Sequence, residues 1–127
     1  SDTFEPRLSQ DTSETLVKKG RWSRATVDWA SGGTTLYARE EGAYVKRTFT
    51  GRGIAWIGSK GPGRGKARIY VDGQHVATVD LQRSSAAHRQ VLWARAWAGA
   101  GAHSISVQVV GTRGRPRVDV DAFVIVP

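Results

Sequence analysis

The chain has 127 residues, 39% of them hydrophobic, with five Trp and no Cys, which is enough for one domain with a real core and too little for two. Without Cys there are no disulfides and no thiolate metal sites, so stability rests on packing. The formal charge is +8 and the isoelectric point about 10.6, mainly from arginine, so polyanions are attracted at low salt whether or not they are the intended partner. No apolar run approaches the roughly 18 residues that span a membrane, and the first residues do not read as a signal peptide, so Ser1 reads as the start of a segment excised from a longer chain.

Taken in chain order, the pattern is alternation without a sustained helical period. Short strands are expected near 4–9 and 16–18, and longer ones at 43–50 and 53–57. Ala67, Ile69 and Val71 alternate with Arg68, Tyr70 and Asp72. Asp72-Gly73 then supplies a hairpin turn, and Ala77, Val79 and Leu81 continue the period of two. Further strands are expected at 89–97, 104–110 and 118–126. Glycine and proline punctuate the chain at Ser31-Gly32-Gly33, at Lys60-Gly61-Pro62-Gly63-Arg64-Gly65 and at Gly99-Ala100-Gly101. Short strands at regular spacing predict an all-β antiparallel sandwich of jelly-roll type.

The C-terminal stretch 102–126 carries the most functional information. One strand pattern runs through the basic turn Gly111-Thr112-Arg113-Gly114-Arg115-Pro116 into a closing strand that opens with Asp119 and Asp121. On a single strand these two carboxylates share a face about 7 Å apart, a separation compatible with paired-carboxylate glycosidases. The neighbouring arginines hold both ionised, however, and an acid catalyst needs a raised pKa, so binding is favoured over chemistry. His75, His88 and His103 lack metal-ligand spacing, and no Ser, His and Asp set is evident.

A sugar offers an apolar C–H face and a rim of hydroxyls, so its site needs an aromatic plane and a few fixed donors and acceptors. Trp29 and Tyr37 flank Ser31-Gly32-Gly33 and suit either that plane or the core. Trp56, between Ala55 and Ile57, reads as core. Of Trp93 and Trp97 one reads as core, and Trp97, nearer the Gly99 turn, as exposed. The basic groups Lys60, Arg64, Lys66 and Arg113, Arg115, Arg117 surround two Gly-rich turns, either as a solvated surface or as guanidinium forks for anionic sugars or phosphate-bearing polymers. The first turn lacks the Gly-Lys-Ser/Thr ending and following helix of a P-loop, which excludes that mode of nucleotide binding.

The run Phe49-Thr50-Gly51-Arg52-Gly53-Ile54-Ala55-Trp56-Ile57-Gly58, then Lys60-Gly61-Pro62, Gly65-Lys66-Ala67, Tyr70-Val71-Asp72-Gly73, Gly101-Ala102-His103 and Val118-Asp119-Val120-Asp121-Ala122-Phe123, resembles the galactose-binding-like jelly rolls over about two thirds of the chain. It is similar in particular to the non-catalytic modules appended to secreted actinobacterial proteins and to carbohydrate-binding modules of families 6 and 35. The resemblance implies a secreted or cell-surface accessory module that binds a polysaccharide or cell-wall glycan and sits beside flanking domains of a larger chain. It places Asp119 where such modules carry a sugar-binding Asn. It also implies a structural calcium at Asp121, with an N-terminal carboxylate such as Glu5. The expected ligand contacts are therefore Trp29, Tyr37, Trp97, Arg115 and Asp119. Two other readings stand beside this one. A structural or adhesive spacer would use the same sandwich without a pocket. A nucleic-acid or polyanion binder would need its basic residues gathered on one face, whereas here they are spread along the chain.

Overall fold

The computed structural model describes residues 7–10, 16–26 and 34–127. Ten strands follow in order: β1 (Arg7–Gln10), β2 (Leu16–Lys19), β3 (Ser23–Thr26), β4 (Thr34–Ala38), β5 (Tyr44–Lys60), β6 (Lys66–Val71), β7 (Gln74–Asp80), β8 (Ala87–Val109), β9 (Val118–Val120) and β10 (Ala122–Val126). They form a seven-stranded sheet, ordered β1-β10-β5-β8-β6-β7 with β2 also on β5, and a three-stranded sheet ordered β3-β4-β9. Every strand pair in both ladders is antiparallel.

The expected Asp72-Gly73 hairpin is present between β6 and β7, with φ of 52° at Asp72 and 82° at Gly73, the left-handed pair that a type I′ turn requires. Elsewhere the strand pattern breaks the chain more often than the fold does. The glycines at 51 and 53 do not end a strand: β5 runs through them, because β10 packs so closely there that a β-carbon at Gly51 would strike the Val126 carbonyl. Gly99 and Gly101 likewise lie within β8, the partner of β5 along its whole length, and the register shifts where these long strands bulge. Conversely, the expected closing strand 118–126 is two strands. β9 belongs to the small sheet and β10 to the large one, and the chain crosses between them at Asp121, whose N–H donates to the Ile57 carbonyl at 3.0 Å. Asp119 and Asp121 therefore do not share the face of one strand, which removes the geometry on which a carboxylate pair would depend.

The inner faces supply the core: Val45, Phe49, Ile54 and Trp56 from β5, Ile69 and Val71 from β6, Leu92, Ile105, Val107 and Val109 from β8, and Phe123 and Ile125 from β10. Leu36, Val118 and Val120 oppose them from the small sheet. Trp56 is core as expected. Trp93 and Trp97 are not divided into one buried and one exposed, for both are half-buried against the core. Among the described residues no helix is long and apolar enough to cross a membrane.

Two exposed carboxylates tie turns to neighbouring strands. Asp72 accepts from the His103 ring at 2.8 Å and from the Ser104 N–H at 2.9 Å, and Asp80 accepts from Arg115 at 2.6 Å and 3.3 Å. The hydrogen bond to His103 chiefly, then that to Ser104, holds Asp72 below the ordinary carboxylate range, and the bonds from Arg115 and the Gln82 N–H do the same for Asp80. A depressed carboxylate stabilises the fold above its unfolded pKa and ceases to do so as pH falls through its folded pKa. Stability is accordingly expected to fall on acidification below about pH 4, and an Asp72→Asn, Asp80→Asn double variant to show a shallower acid limb. Urea unfolding at pH 5 and at pH 3 measures this, with a small effect expected because both groups are about half exposed.

Candidate functional site: a guanidinium cluster on the small sheet

The alternation of β4 turns Leu36 and Ala38 into the core and Tyr37 outward, and the register sets Ser23 of β3 and Asp119 of β9 on either side of Tyr37. Ser23, Tyr37 and Asp119 form one row across the outer face of the small sheet. Arg39, two residues beyond Tyr37, follows the same period and stands beside it.

Two basic turns that lie far apart in sequence dock against this row. Arg64 and Arg117 form an isolated parallel bridge. The Gly65 N–H donates to the Arg117 carbonyl at 3.0 Å, the Arg117 N–H to the Gly63 carbonyl at 3.3 Å, and the Lys66 N–H to Thr112 Oγ1 at 2.9 Å. The contact depends on Gly65, because a β-carbon there would run into the Arg115 carbonyl and lie 2.9 Å from Thr112 Oγ1. Gly65→Ala is expected to destabilise the fold by about 1–3 kcal/mol, read from the urea midpoint.

Docking brings Arg64 and Arg117 onto one carboxylate. Arg117 donates from Nε to Asp119 Oδ1 at 2.8 Å and from Nη2 to Oδ2 at 3.0 Å, a bidentate fork. Arg64 approaches the same group, Nε to Oδ1 at 3.3 Å and Nη2 to Oδ2 at 3.5 Å. Arg117 in turn lies over the Tyr37 ring at 4.3 Å from its centre, and Arg39 lies over it at 5.3 Å. Beside this stack opens a cleft of about 560 Å³ lined by Arg21, Ser23, Tyr37, Ala38, Arg39 and Glu40. The Arg21 N–H donates to Glu40 Oε2 at 3.1 Å and closes one wall. The guanidiniums of Arg21, Arg39, Arg64 and Arg117 thus outnumber the carboxylates of Glu40 and Asp119.

The residues singled out from the sequence fare differently. Tyr37 is at the centre, but its ring already carries two guanidiniums and is no bare stacking plane. Asp119 was expected as a ligand contact at the rim; instead it is fully buried beneath Arg64 and Arg117, so it positions their forks and does not face a ligand. Arg115 lies on the docked turn and is spent on Asp80 and on the Arg64 carbonyl at 3.2 Å. Trp97 belongs to β8 in the large sheet, where His103 stacks on it at 3.9 Å with 11° between planes and Arg95 lies 5.3 Å from the ring centre. Trp29 and Glu5 lie outside the described residues. Asp121 is buried at the crossover between the sheets. Among the described residues no group of three or more His, Asp or Glu is gathered as a metal site. The sequence pattern alone passes over Arg21, Ser23 and Arg39. The Tyr37-Ala38-Arg39 alternation was the available signal for the last.

No family model matches the chain. Over 106 residues, 84% of its length, it is 35% identical to an A type blood alpha-D-galactosamine galactosaminidase of Flavonifractor plautii, and it spans only 9% of that protein. Among solved structures it superposes on the CBM36-1 domain of a multidomain xylanase from the hindgut metagenome of Trinervitermes trinervoides, with a TM-score of 0.61, 15% identity, and 95% of this chain and 96% of that one covered. The chain folds as an antiparallel all-β jelly-roll sandwich. The same jelly roll recurs in a family two carbohydrate esterase from Cellvibrio japonicus, with a TM-score of 0.70, 13% identity, and 98% of this chain and 34% of the esterase chain covered. Proteins named for action on carbohydrates thus recur among its likenesses in both sequence and fold.

Proposed function

We propose that this jelly roll is a non-catalytic module that binds a glycan at the Tyr37 cleft and anchors a larger secreted or surface protein to a polysaccharide. The observation that carries the reading is the Arg39–Tyr37–Arg117 stack at the mouth of a cleft on the outer face of the small sheet. The Arg117 fork is held on Asp119, so Arg39 supplies the donor fork at the cleft, a group that matches sugar carboxylates and sulfates as well as vicinal hydroxyls. Acidic polysaccharides are therefore favoured over neutral ones. A binding role without chemistry is supported by Asp119, which is spent as an acceptor on two guanidiniums, and by the separation of Asp119 and Asp121 onto different sheets. Flanking domains are supported by the galactosaminidase, in which the matching stretch is a small part of a much longer chain.

The test is a glycan array with pull-downs on insoluble polysaccharides at physiological salt. Arg39→Gln is expected to weaken binding about tenfold, the loss of about 1.4 kcal/mol that one charge-assisted contact carries, and Tyr37→Ala to abolish it in a folded protein. Absence of glycan binding overturns the reading in favour of a spacer. Binding that fades uniformly with added salt and extends to nucleic acid favours the polyanion reading. A structural calcium at Asp121 belongs to the same proposal. Added calcium is then expected to raise Tm, and Asp121→Asn to abolish the rise.

A further inference from the structure

A sheet that does not close leaves N–H and C=O groups without a strand partner along its last strand, and each such edge is a template for a further strand. Among the described residues the large sheet ends at β1 on one side and at β7 on the other, and the small sheet ends at β3 and β9. β2 pairs only with β5, and over residues 87–96 β8 has β5 as its only strand partner, because β6 meets it at 105–109. Most of these edges carry devices that discourage pairing. β1, β2 and β3 are four residues long and each contains Arg or Lys, β9 is three residues long and buried, and the open part of β8 carries Arg89 and Arg95.

β7 is the exception. Gln74-His75-Val76-Ala77-Thr78-Val79-Asp80 is seven residues long, pairs with β6 alone and contains no Lys, Arg or Pro, although 19 of the chain's 127 residues are Lys or Arg. Its single carboxylate, Asp80, is compensated by Arg115 at 2.6 Å. Ala77 and Val79 turn in against the core. Val76, the residue added where the register with β6 shifts, stands out at 39% exposure. Beyond that shift, residues 77–80 run in unbroken register, so the edge there is regular and ready to accept a strand.

The strand that this edge fits is its own copy. With a two-fold axis at Thr78, residues 76–80 of one copy run against 80–76 of the other: Thr78 meets Thr78, Ala77 meets Val79 and Val76 meets Asp80, each pair on one face of the joined sheet. A threonine pair is favourable and no like charges stand opposite each other. The nearest repeated charge is Arg68, one strand behind Thr78 on β6. Three strand spacings separate the two copies of Arg68, about 14 Å at the backbone, which exceeds the Debye length of about 8 Å at physiological salt. A strongly charged foreign strand would find no complementary charge on β7, whereas a second β7 needs none.

We propose that β7 is a self-association edge, through which two copies of the chain join antiparallel and unite their seven-stranded sheets into one. Five residues from each copy make a small contact, so the dimer is weak and reversible, with half association expected near about 0.1 mM. Such a dimer presents two Tyr37 clefts, and once one is engaged on a polymer the other binds at high effective concentration. That last step rests on the glycan reading; the association does not.

The experiment is sedimentation velocity of the full chain from about 10 µM to about 1 mM at physiological salt, where the sedimentation coefficient is expected to rise from the monomer toward the dimer value. Val76→Lys places an ammonium on the edge and is expected to weaken association at least about tenfold with an unchanged urea midpoint. Thr78→Lys, also at an exposed position, does the same and serves if Val76→Lys fails to fold. The chain has no cysteine, so a single introduced thiol reports the geometry. Thr78→Cys, at the axis, is expected to oxidise to a covalent dimer, since residues directly opposite in an antiparallel pair lie within disulfide range. Thr26→Cys, on the β3 edge, is expected not to. A monomer at every concentration overturns the proposal, as does equal oxidation of the two cysteine variants. A dimer that survives both lysine variants also overturns it and moves the contact elsewhere, such as to the apolar trough at Gly53, Ala55, Ala94, Ala96, Val124 and Val126. The glycan reading stands or falls separately, because Val76→Lys leaves the Tyr37 cleft intact and is expected to bind a short oligosaccharide as the wild type does.

Discussion

Replacing Asp119 with alanine is expected to destabilise the protein by about 3–5 kcal/mol and to abolish glycan binding at the Tyr37 cleft together. Asp119 has no exposed surface, and the guanidiniums it holds are only 12% and 24% exposed. Removing the carboxylate leaves two charges facing each other in a poorly solvated position, the circumstance in which breaking an ion pair is most costly. The cost extends into function because Arg117 reaches the Tyr37 ring only while its fork is fixed on Asp119. Asp119→Asn keeps the shape and two acceptor lone pairs but removes the charge, so a smaller loss is expected. Urea denaturation with a concurrent binding assay measures both. Near-wild-type stability in the alanine variant would show that Arg64 and Arg117 find other partners, and that Asp119 does not organise the cluster.

The division between what could and could not be read from sequence follows the range of the interactions. The Asp72-Gly73 hairpin was legible because turn chemistry and alternation are local. The continuity of β5 and β8 was not. Glycine lowers strand propensity everywhere, and only the approach of Val126 reveals that Gly51 makes room for β10. The crossover at Asp121 was hidden for a related reason, since a strand that changes sheets keeps its alternation while it changes partners. At the site, Tyr37 and the two basic turns were all visible. Their convergence was not, because it is made by backbone hydrogen bonds between residues about fifty positions apart, such as Gly65 with Arg117. Asp119 was read as a ligand contact because a carboxylate among arginines looks solvent-facing until the partner arginine from the other turn covers it.

Trp56→Ala is expected to be as damaging as the loss of Asp119, by a different route. The indole is fully buried, and its backbone rung joins Phe123 of β10 to Trp93 of β8, at the junction where the two longest strands meet the closing strand. Packing there has little slack: a β-carbon at the nearby Gly58 would lie 2.7 Å from Leu92 and 3.4 Å from the Trp56 indole nitrogen. Truncation leaves a cavity that surrounding side chains from three strands cannot all collapse into, and the cost of about 3–5 kcal/mol is a large share of the stability of a domain this size. Trp56→Phe separates the contributions of volume and polarity. The indole N–H has no hydrogen-bond partner among the described residues, so phenylalanine loses part of the packing but also relieves an unsatisfied buried donor. Its cost is expected to be about 1–2 kcal/mol, well below that of alanine. Urea midpoints for both variants, with unchanged slopes, decide the matter. A phenylalanine variant as unstable as the alanine one would mean that the indole nitrogen is bonded in solution. An alanine variant within about 1 kcal/mol of the wild type would mean that β5 and β10 do not meet over Trp56, and the placement of Asp121 at the crossover, which depends on that meeting, would fall with it.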